Sequence, residues 1–196
     1  CAFLSLKNTI HISPLIQDCL ANKQAAQFEL YQQYHKAMYN TALRILRDEM
    51  LAEDVMQESF ISAFQKLHQF SGLVSFGAWL KKIVINKAIV AYRKQQKELS
   101  SSVSDLSLTS DSPLDYASSL AVEKSDKKKA AWILQTIDGL KENYRQSLQL
   151  QLVEGLTHQE VTEVLGISEA NCRTTFSRAK AQLRKKLEQD PIWKTL

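Results

Sequence analysis

The sequence predicts an all-α protein with two small helical domains joined by a flexible linker, and a helix-turn-helix in the second domain. The 196 residues include only five glycines and three prolines, which favours helices over a sandwich or a barrel. Apolar residues recur at helical spacing on both sides of one interruption. That interruption, residues 97–126, alternates Ser and Asp and has little periodic apolar content, as linkers do.

The first predicted domain, residues 24–96, holds three helices. Asp48 is expected to cap the second helix. The third runs from about Gly77 to Gln95, after a break at residues 70–76 that contains Gly72. The predicted apolar faces of the first two helices are Phe28, Tyr31, His35, Met38, Tyr39, Ala42 and Leu46, and Ala52, Val55, Met56, Phe60, Ala63, Phe64 and Leu67.

The second predicted domain, residues 127–188, holds four helices, of which the last two form a helix-turn-helix. Thr157 and Glu160 have the spacing of a capping box, in which each side chain bonds to the other residue's amide. The predicted helices run from about Lys127 to Gly139, from about Asn143 to Glu154, from Thr157 to Gly166 and from Ser168 to about Leu187.

The last predicted helix combines an apolar face with a strongly basic one. Cys172, Phe176, Ala179 and Leu183 share one side and are expected to pack inward. Between residues 170 and 187 there are six basic residues and no acidic one. Such a helix suits the major groove of DNA, although a basic surface helix of an ordinary bundle would show the same pattern.

Charge is unevenly distributed along the chain. Residues 1–95 carry 11 Lys and Arg against 7 Asp and Glu, and residues 127–187 carry 11 against 6. The strip between them, residues 96–126, carries 2 against 6. Two basic blocks around an acidic strip indicate contact with a polyanion, but solvated helix faces also produce such blocks.

Two patterns in the first domain have both a functional and a structural interpretation. The loop from Phe70 to Phe76 precedes a helix rich in Lys, which suits single-stranded nucleic acid, although aromatic residues at a helix start are more often core. Asp54, Gln57 and Glu58 share a polar face opposite the apolar stripe. By itself this is a solvated face, and the sequence supplies no third group for acid–base catalysis.

The sequence predicts no metal site, no cofactor and no membrane insertion. The three Cys residues lack CxxC spacing, the four His residues are scattered, and no apolar run reaches the roughly 18 residues of a membrane span. The absence of a disulfide pattern among the Cys residues fits a reducing cytoplasm.

Two series of motifs resemble those of extracytoplasmic-function (ECF) sigma factors of bacterial RNA polymerase. Residues 52–58 (AEDVMQE), 76–80 (FGAWL), 86–89 (NKAI) and 93–94 (RK) resemble the second conserved region of that family. Residues 155–160 (GLTHQE), 165–168 (LGIS) and 178–179 (RA) resemble the fourth region. The order and spacing of the two series also match, with a linker between them.

The sequence departs from the family at four positions. Val90 stands where the family usually has Asp, and Thr162 replaces a usual Ala. Asn171 and Thr175 replace the commoner Thr and Arg of the recognition helix.

The resemblance implies roles for specific residues and partners. It implies that the protein binds core RNA polymerase and promoter DNA, with an anti-sigma factor as a further partner. Core polymerase would bind Asp54, Gln57 and Glu58. The −10 element would be captured by Phe70, Ser71, Gly72, Leu73, Val74, Ser75, Phe76, Lys82 and Asn86, and the −35 element would be read by Ser168, Arg173, Thr174, Ser177, Arg178, Lys180 and Arg184.

The leading hypothesis is therefore an alternative sigma factor that is not itself an enzyme. The second hypothesis is a free-standing helix-turn-helix regulator that binds duplex DNA without polymerase. The preceding domain and its face of Asp54, Gln57 and Glu58 argue against it. A nucleic-acid enzyme is a third hypothesis, for which the sequence offers no phosphate loop or other catalytic motif.

Overall fold

The computed structural model describes residues 13–101, 124–190 and 193. The chain divides into two compact units, residues 1–99 and residues 100–196. Every regular element within the described residues is a helix, so the predicted fold class is confirmed. None of those helices is long and apolar enough to cross a membrane. Residues 102–123 of the predicted linker lie outside the described residues.

The first unit holds one helix more than the sequence predicted. Its helices are α1 (Pro14–Leu20), α2 (Gln24–Leu46), α3 (Glu49–Gln65) and α4 (Phe76–Ser101), with a 3₁₀ turn at Leu67–Gln69. Helix α1 was missed because it has only seven residues. Its start was nevertheless visible in the sequence as Pro14, a residue type that is favoured in a first helical turn. Ile16 and Cys19 of α1 are buried.

Helix α2 buries most of the predicted face, with one clear exception. Phe28 was placed in the core by its spacing, but its side chain is 60% exposed. Met38, Ala42 and Leu46 of the predicted face are buried, and Leu30 and Ile45 beside them are buried as well. Helical periodicity indicates which side of a helix is buried, but tertiary packing decides burial at the edges of that side, as the exposed Phe28 shows.

Helix α3 follows the prediction closely. The Asp48 carboxylate accepts a hydrogen bond from the Leu51 amide at 2.9 Å, as expected of an N-cap. The predicted stripe is buried at Ala52, Val55, Met56, Phe60 and Ala63, and Leu67 continues it in the 3₁₀ turn. The exposed side of α3 is therefore fixed by the burial of the opposite side.

Helix α4 begins with a close approach to α2. The Ser75 hydroxyl accepts from the Ala78 amide at 3.2 Å and closes the first turn. A Cβ atom on Gly77 would lie 2.7 Å from Cε1 of Tyr34, closer than carbon atoms can pack. The Tyr34 ring in turn packs on Phe76, with the ring centroids 5.5 Å apart. Only glycine fits at position 77 without displacing this ring.

The second unit contains the four predicted helices and one irregular turn. They are α5 (Lys124–Asp138), α6 (Glu142–Leu148), α7 (His158–Leu165) and α8 (Glu169–Gln189), and a π-helical turn (Gln149–Val153) follows α6. The core comprises Ile137, Leu140, Leu148, Ala179 and Leu183. The predicted helix from Asn143 to Glu154 is thus correct in extent but changes its hydrogen-bonding pattern halfway.

Buried polar groups surround this π-helical turn. The fully buried Arg145 donates to both carboxylate oxygens of Glu142, at 2.9 and 2.6 Å. The Gln149 side-chain amide donates to Glu154 at 3.3 Å, and the Glu154 amide donates to the Gln149 carbonyl at 2.9 Å. A buried polar group is costly without a partner, so these bonds stabilise the segment from which the chain enters α7.

The contact between Gly77 and Tyr34 predicts the effect of adding a single methyl group. Gly77→Ala should destabilise the first unit by about 1–3 kcal/mol, because the Tyr34 ring must shift against Phe76. Urea denaturation followed by circular dichroism measures this loss. Gly139→Ala is the matched control, since a Cβ atom there meets nothing closer than 3.6 Å. Equal stability of the two variants would disprove the tight contact at Gly77.

Candidate nucleic-acid and partner interfaces

Asp54, Gln57 and Glu58 lie together on the exposed side of α3, as the sequence predicted. The Gln57 side-chain amide donates to the Glu53 carboxylate at 3.2 Å. The Glu58 carboxylate pairs with the Lys87 ammonium of α4, also at 3.2 Å. The structure thus brings the three residues onto one solvent-facing surface, and the ion pair ties that surface to α4.

Two exposed apolar side chains extend this surface and were not singled out in the sequence. Met50 is 79% exposed and Ile61 is 58% exposed. Met50, Asp54, Gln57 and Ile61 follow each other at spacings of four, three and four residues, which places them in one line along α3. The exposed side of α3 therefore has a polar centre between two apolar ends.

The loop before α4 differs from the prediction at both of its ends. Phe70 and Phe76 were expected to capture bases, but they are only 7% and 5% exposed. Their ring centroids lie 6.0 Å apart, and the Phe70 centroid lies 5.4 Å from that of Trp79. These rings form an aromatic cluster beneath the loop, because burial of their large apolar area outweighs exposure at a loop end.

The exposed part of the loop is its middle. Leu73 and Val74 are 75% and 53% exposed, and Ser71 and Ser75 are also exposed. Gly72 has φ of 71°, a left-handed conformation that lets the chain turn here. The loop therefore presents two apolar side chains between two hydroxyls, held over the aromatic cluster.

The exposed side of α4 continues from this loop. Lys82 and Asn86 are both exposed and lie one turn apart on the same side of the helix. Val90, at the position where the resemblance expects Asp, is 66% exposed. The departure therefore changes the surface beyond Asn86 from charged to apolar and does not alter the core.

The helix-turn-helix has the caps that the sequence predicted. The Glu160 amide donates to the Thr157 hydroxyl at 3.2 Å, and the Glu160 carboxylate accepts from the Thr157 amide at 3.0 Å. Gly166 ends α7 with φ of 63°. The Ser168 hydroxyl accepts from the Asn171 amide at 3.3 Å and caps α8. These local bonds fix where α8 begins.

The predicted inward face of α8 is confirmed. Cys172, Ala179 and Leu183 are buried, and Phe176 is half-buried. The Cys172 sulfur lies 3.8 Å from Nδ1 of His158, whose ring meets Phe176 edge-on at 5.5 Å. Burial, aided by the nearby Glu169 carboxylate, raises the pKa of the Cys172 thiol. The thiol is therefore protonated at neutral pH and serves as packing between α7 and α8.

The exposed side of α8 has three parallel lines of residues, given 100° of rotation per residue. The residues of the central line have small side chains. One flank is cationic, and its Arg173 is paired with Glu169. The other flank is polar and ends in a cation. The central line is Ala170, Thr174, Ser177 and Ala181. The cationic flank is Arg173, Lys180 and Arg184, and the polar flank is Asn171, Thr175 and Arg178.

The two lysines at the end of α8 differ in their contacts. The Lys186 ammonium donates to the Gly139 carbonyl at 2.8 Å, which satisfies a carbonyl at the end of α5. Lys185 is exposed one position earlier on a different side of the helix. Of the two lysines, Lys186 therefore has a structural contact within the second unit.

Comparisons with known proteins agree on the nature of both units. Residues 30–98 match the family model of sigma-70 region 2, and residues 130–183 match that of sigma-70 region 4. The chain is 36% identical over 154 residues to the probable RNA polymerase sigma factor RfaY of Xanthomonas campestris pv. campestris, covering 76% of this chain and 37% of that protein. It is 29% identical over 158 residues to the ECF RNA polymerase sigma factor SigM of Bacillus subtilis, covering 80% of this chain and 91% of that protein.

A solved structure supports the fold. The sigma factor RpoE of Bartonella quintana, crystallised with the anti-sigma factor NepR, superposes with a TM-score of 0.54 at 20% sequence identity. The alignment covers 83% of this chain and 96% of that one.

The contact of Lys186 with Gly139 predicts that two adjacent lysines have different effects. Lys186→Ala should lower the stability of the second unit by about 0.5–1 kcal/mol, because a carbonyl at the end of α5 loses its donor. Lys185→Ala should leave stability unchanged and lower the salt dependence of DNA binding by about one unit. Chemical denaturation and binding titrations at several salt concentrations measure the two effects. The reverse pattern would contradict the assignment.

Proposed function

The chain belongs to the sigma-70 family of RNA polymerase sigma factors, in its ECF group, and we propose how its two units divide the work of promoter recognition. As an alternative sigma factor, it binds core RNA polymerase and directs promoter-specific initiation of transcription. The observation that carries the proposal is the pairing of two units in one chain: a first with an exposed acidic face on α3, and a second with an exposed basic face on α8.

Core polymerase docks on the face of Asp54, Gln57 and Glu58. The acidic centre suits a basic partner surface, and complementary charge speeds association and fixes register. The exposed Met50 and Ile61 at its ends supply apolar area that becomes buried on docking.

The loop before α4 captures unpaired bases of the −10 element. Leu73 and Val74 offer apolar surface against which an extruded base can rest, and the hydroxyls of Ser71 and Ser75 offer hydrogen bonds. Phe70 and Phe76 support the loop from beneath, so they contribute to base capture only indirectly. Lys82 and Asn86 continue the binding surface along α4, where a cation suits the phosphate backbone.

Helix α8 reads the −35 element from the major groove. Thr174 and Ser177 lie in its small central line, so the helix backbone can approach the base edges. Arg173, Lys180 and Arg184 on one flank and Arg178 on the other face the phosphate strands that border the groove. Ser168 places the amides at the start of α8 near a phosphate.

The protein takes no chemical step itself and needs no cofactor, because the polymerase supplies the catalysis. It acts in the cytoplasm, where the polymerase and the promoters are found. An anti-sigma factor is its further partner, as in the complex of RpoE with NepR. A free-standing duplex-binding regulator is not favoured, since a region 2 unit precedes the helix-turn-helix.

Truncation of two residues of the face of Asp54, Gln57 and Glu58 should weaken polymerase binding without unfolding the protein. Asp54→Ala combined with Gln57→Ala removes two exposed side chains, and we expect at least a tenfold rise in Kd for core polymerase, about 1.4 kcal/mol. Gln65→Ala is the matched control, an exposed glutamine at the end of the same helix. Biolayer interferometry measures the Kd of both variants for core polymerase. If the double variant binds as tightly as the control, core polymerase docks elsewhere.

Removal of the exposed apolar residues of the loop should weaken base capture. Leu73→Ser with Val74→Ser should reduce the affinity for single-stranded −10 non-template DNA several-fold, because the extruded base loses its apolar support. Phe28→Ser is the control, because it removes an apolar side chain from α2 whose exposure lies between those of Leu73 and Val74. Fluorescence anisotropy at low salt reports both affinities. Unchanged binding by the loop variant would refute the loop as the capture site.

A further inference from the structure

Asn171 is held in a fixed orientation at the start of α8. It lies in the first turn of that helix, and its side chain is exposed. Its backbone amide donates to the Ser168 hydroxyl at 3.3 Å. Its side-chain oxygen accepts from the Thr175 hydroxyl, one turn further along, at 3.0 Å. Both the backbone and the side chain of this asparagine are therefore restrained.

In the structure the Thr175 hydroxyl bonds to the oxygen end of the Asn171 amide. This bond directs Oδ1 towards Thr175, so the NH₂ group points away from it. An amide oxygen has two lone pairs, and Thr175 occupies one of them. The amide therefore still offers one acceptor and its two N–H donors in one plane.

This combination of donor and acceptor matches one base. Adenine presents N7 as an acceptor and N6–H as a donor side by side in the major groove, and a side-chain amide can bond to both. Guanine presents two acceptors there, cytosine only a donor, and thymine only an acceptor and a methyl group. An oriented amide thus discriminates adenine from the other three bases.

The position of Asn171 on α8 allows this contact. The N-terminal residues of a recognition helix are the ones that approach base edges. Its neighbour in the central line is Ala170, whose small side chain leaves room for a base pair. On the opposite flank Arg173 is paired with Glu169, so its guanidinium is already engaged. Arg178 lies two turns after Asn171 on the same flank.

We propose that Asn171 reads an adenine of the −35 element and that Thr175 is the positioning residue that orients its amide. The inference rests on the proposed function of α8 and adds a base-reading residue to it. Asn171 and Thr175 are also two of the positions at which this chain departs from the residues usual in the family, and the bond between their side chains links the two departures.

The test uses the full-length protein with core polymerase and a library of promoters randomised in the −35 element. The readout is the base preference at each position. Wild type should prefer adenine at one position, and Asn171→Ala should reduce that preference about tenfold without affecting the others. Asn171→Asp should replace it by a preference for cytosine, because a carboxylate only accepts.

Two variants of Thr175 separate positioning from packing. Thr175→Val keeps the shape but loses the hydroxyl, and should weaken the adenine preference several-fold. Thr175→Ser keeps the hydroxyl and should retain the preference. The thermal stability and the salt dependence of binding should be the same in both variants. Equal preference in Thr175→Val and wild type would overturn the positioning role.

An unaltered profile in Asn171→Ala would overturn the base-reading role while the proposed function stands, provided that wild type still selects a −35 sequence. If wild type selects no −35 sequence with core polymerase, the proposed function of α8 fails. The two failures are therefore distinguishable within one experiment.

Discussion

The burial of one face of each helix determines which residues the protein can offer to its partners. In the first unit, Ala52, Val55 and Phe60 pack inward from α3, and their burial leaves Asp54 and Gln57 on the outside. In the second unit, Cys172 and the buried residues that follow it on α8 have the same effect on the basic side. The functional surfaces are thus the unburied sides of amphipathic helices, and a change in core packing would rotate them.

Local signals made much of this predictable from the sequence. Three helices begin at the expected residues, because a cap depends only on side chains within a few positions of it. Their caps are Asp48, Thr157 with Glu160, and Ser168. In α3 and α8 the helix start and the apolar period together also indicated the exposed side. Both the face of Asp54, Gln57 and Glu58 and the basic side of α8 could be predicted from the sequence in this way.

Tertiary packing accounts for what the sequence did not predict. Phe28 has the spacing of a core residue but lies outside, and Phe70 and Phe76 end a loop but lie inside. In each case the neighbours that decide burial come from other helices, and periodicity contains no information about them. The same holds for Lys186, whose bond to Gly139 joins residues that are 47 positions apart.

The two surfaces that we propose for nucleic acid differ in their chemistry. The loop of the first unit offers apolar surface at Leu73 and Val74, which suits bases that have left the stack. The basic side of α8 offers cations and hydroxyls, which suit the phosphates and base edges of a duplex. A polymerase that carries this protein would therefore contact a melted element through one unit and a paired element through the other.

The most direct test of this account is transcription by core polymerase, with and without the full-length protein, from a library of promoters randomised at both elements. The account predicts that transcripts depend on the protein and come from promoters that share two sequence elements at a fixed spacing. It is contradicted if the protein selects the same duplex sites without polymerase and leaves the choice of promoter unchanged.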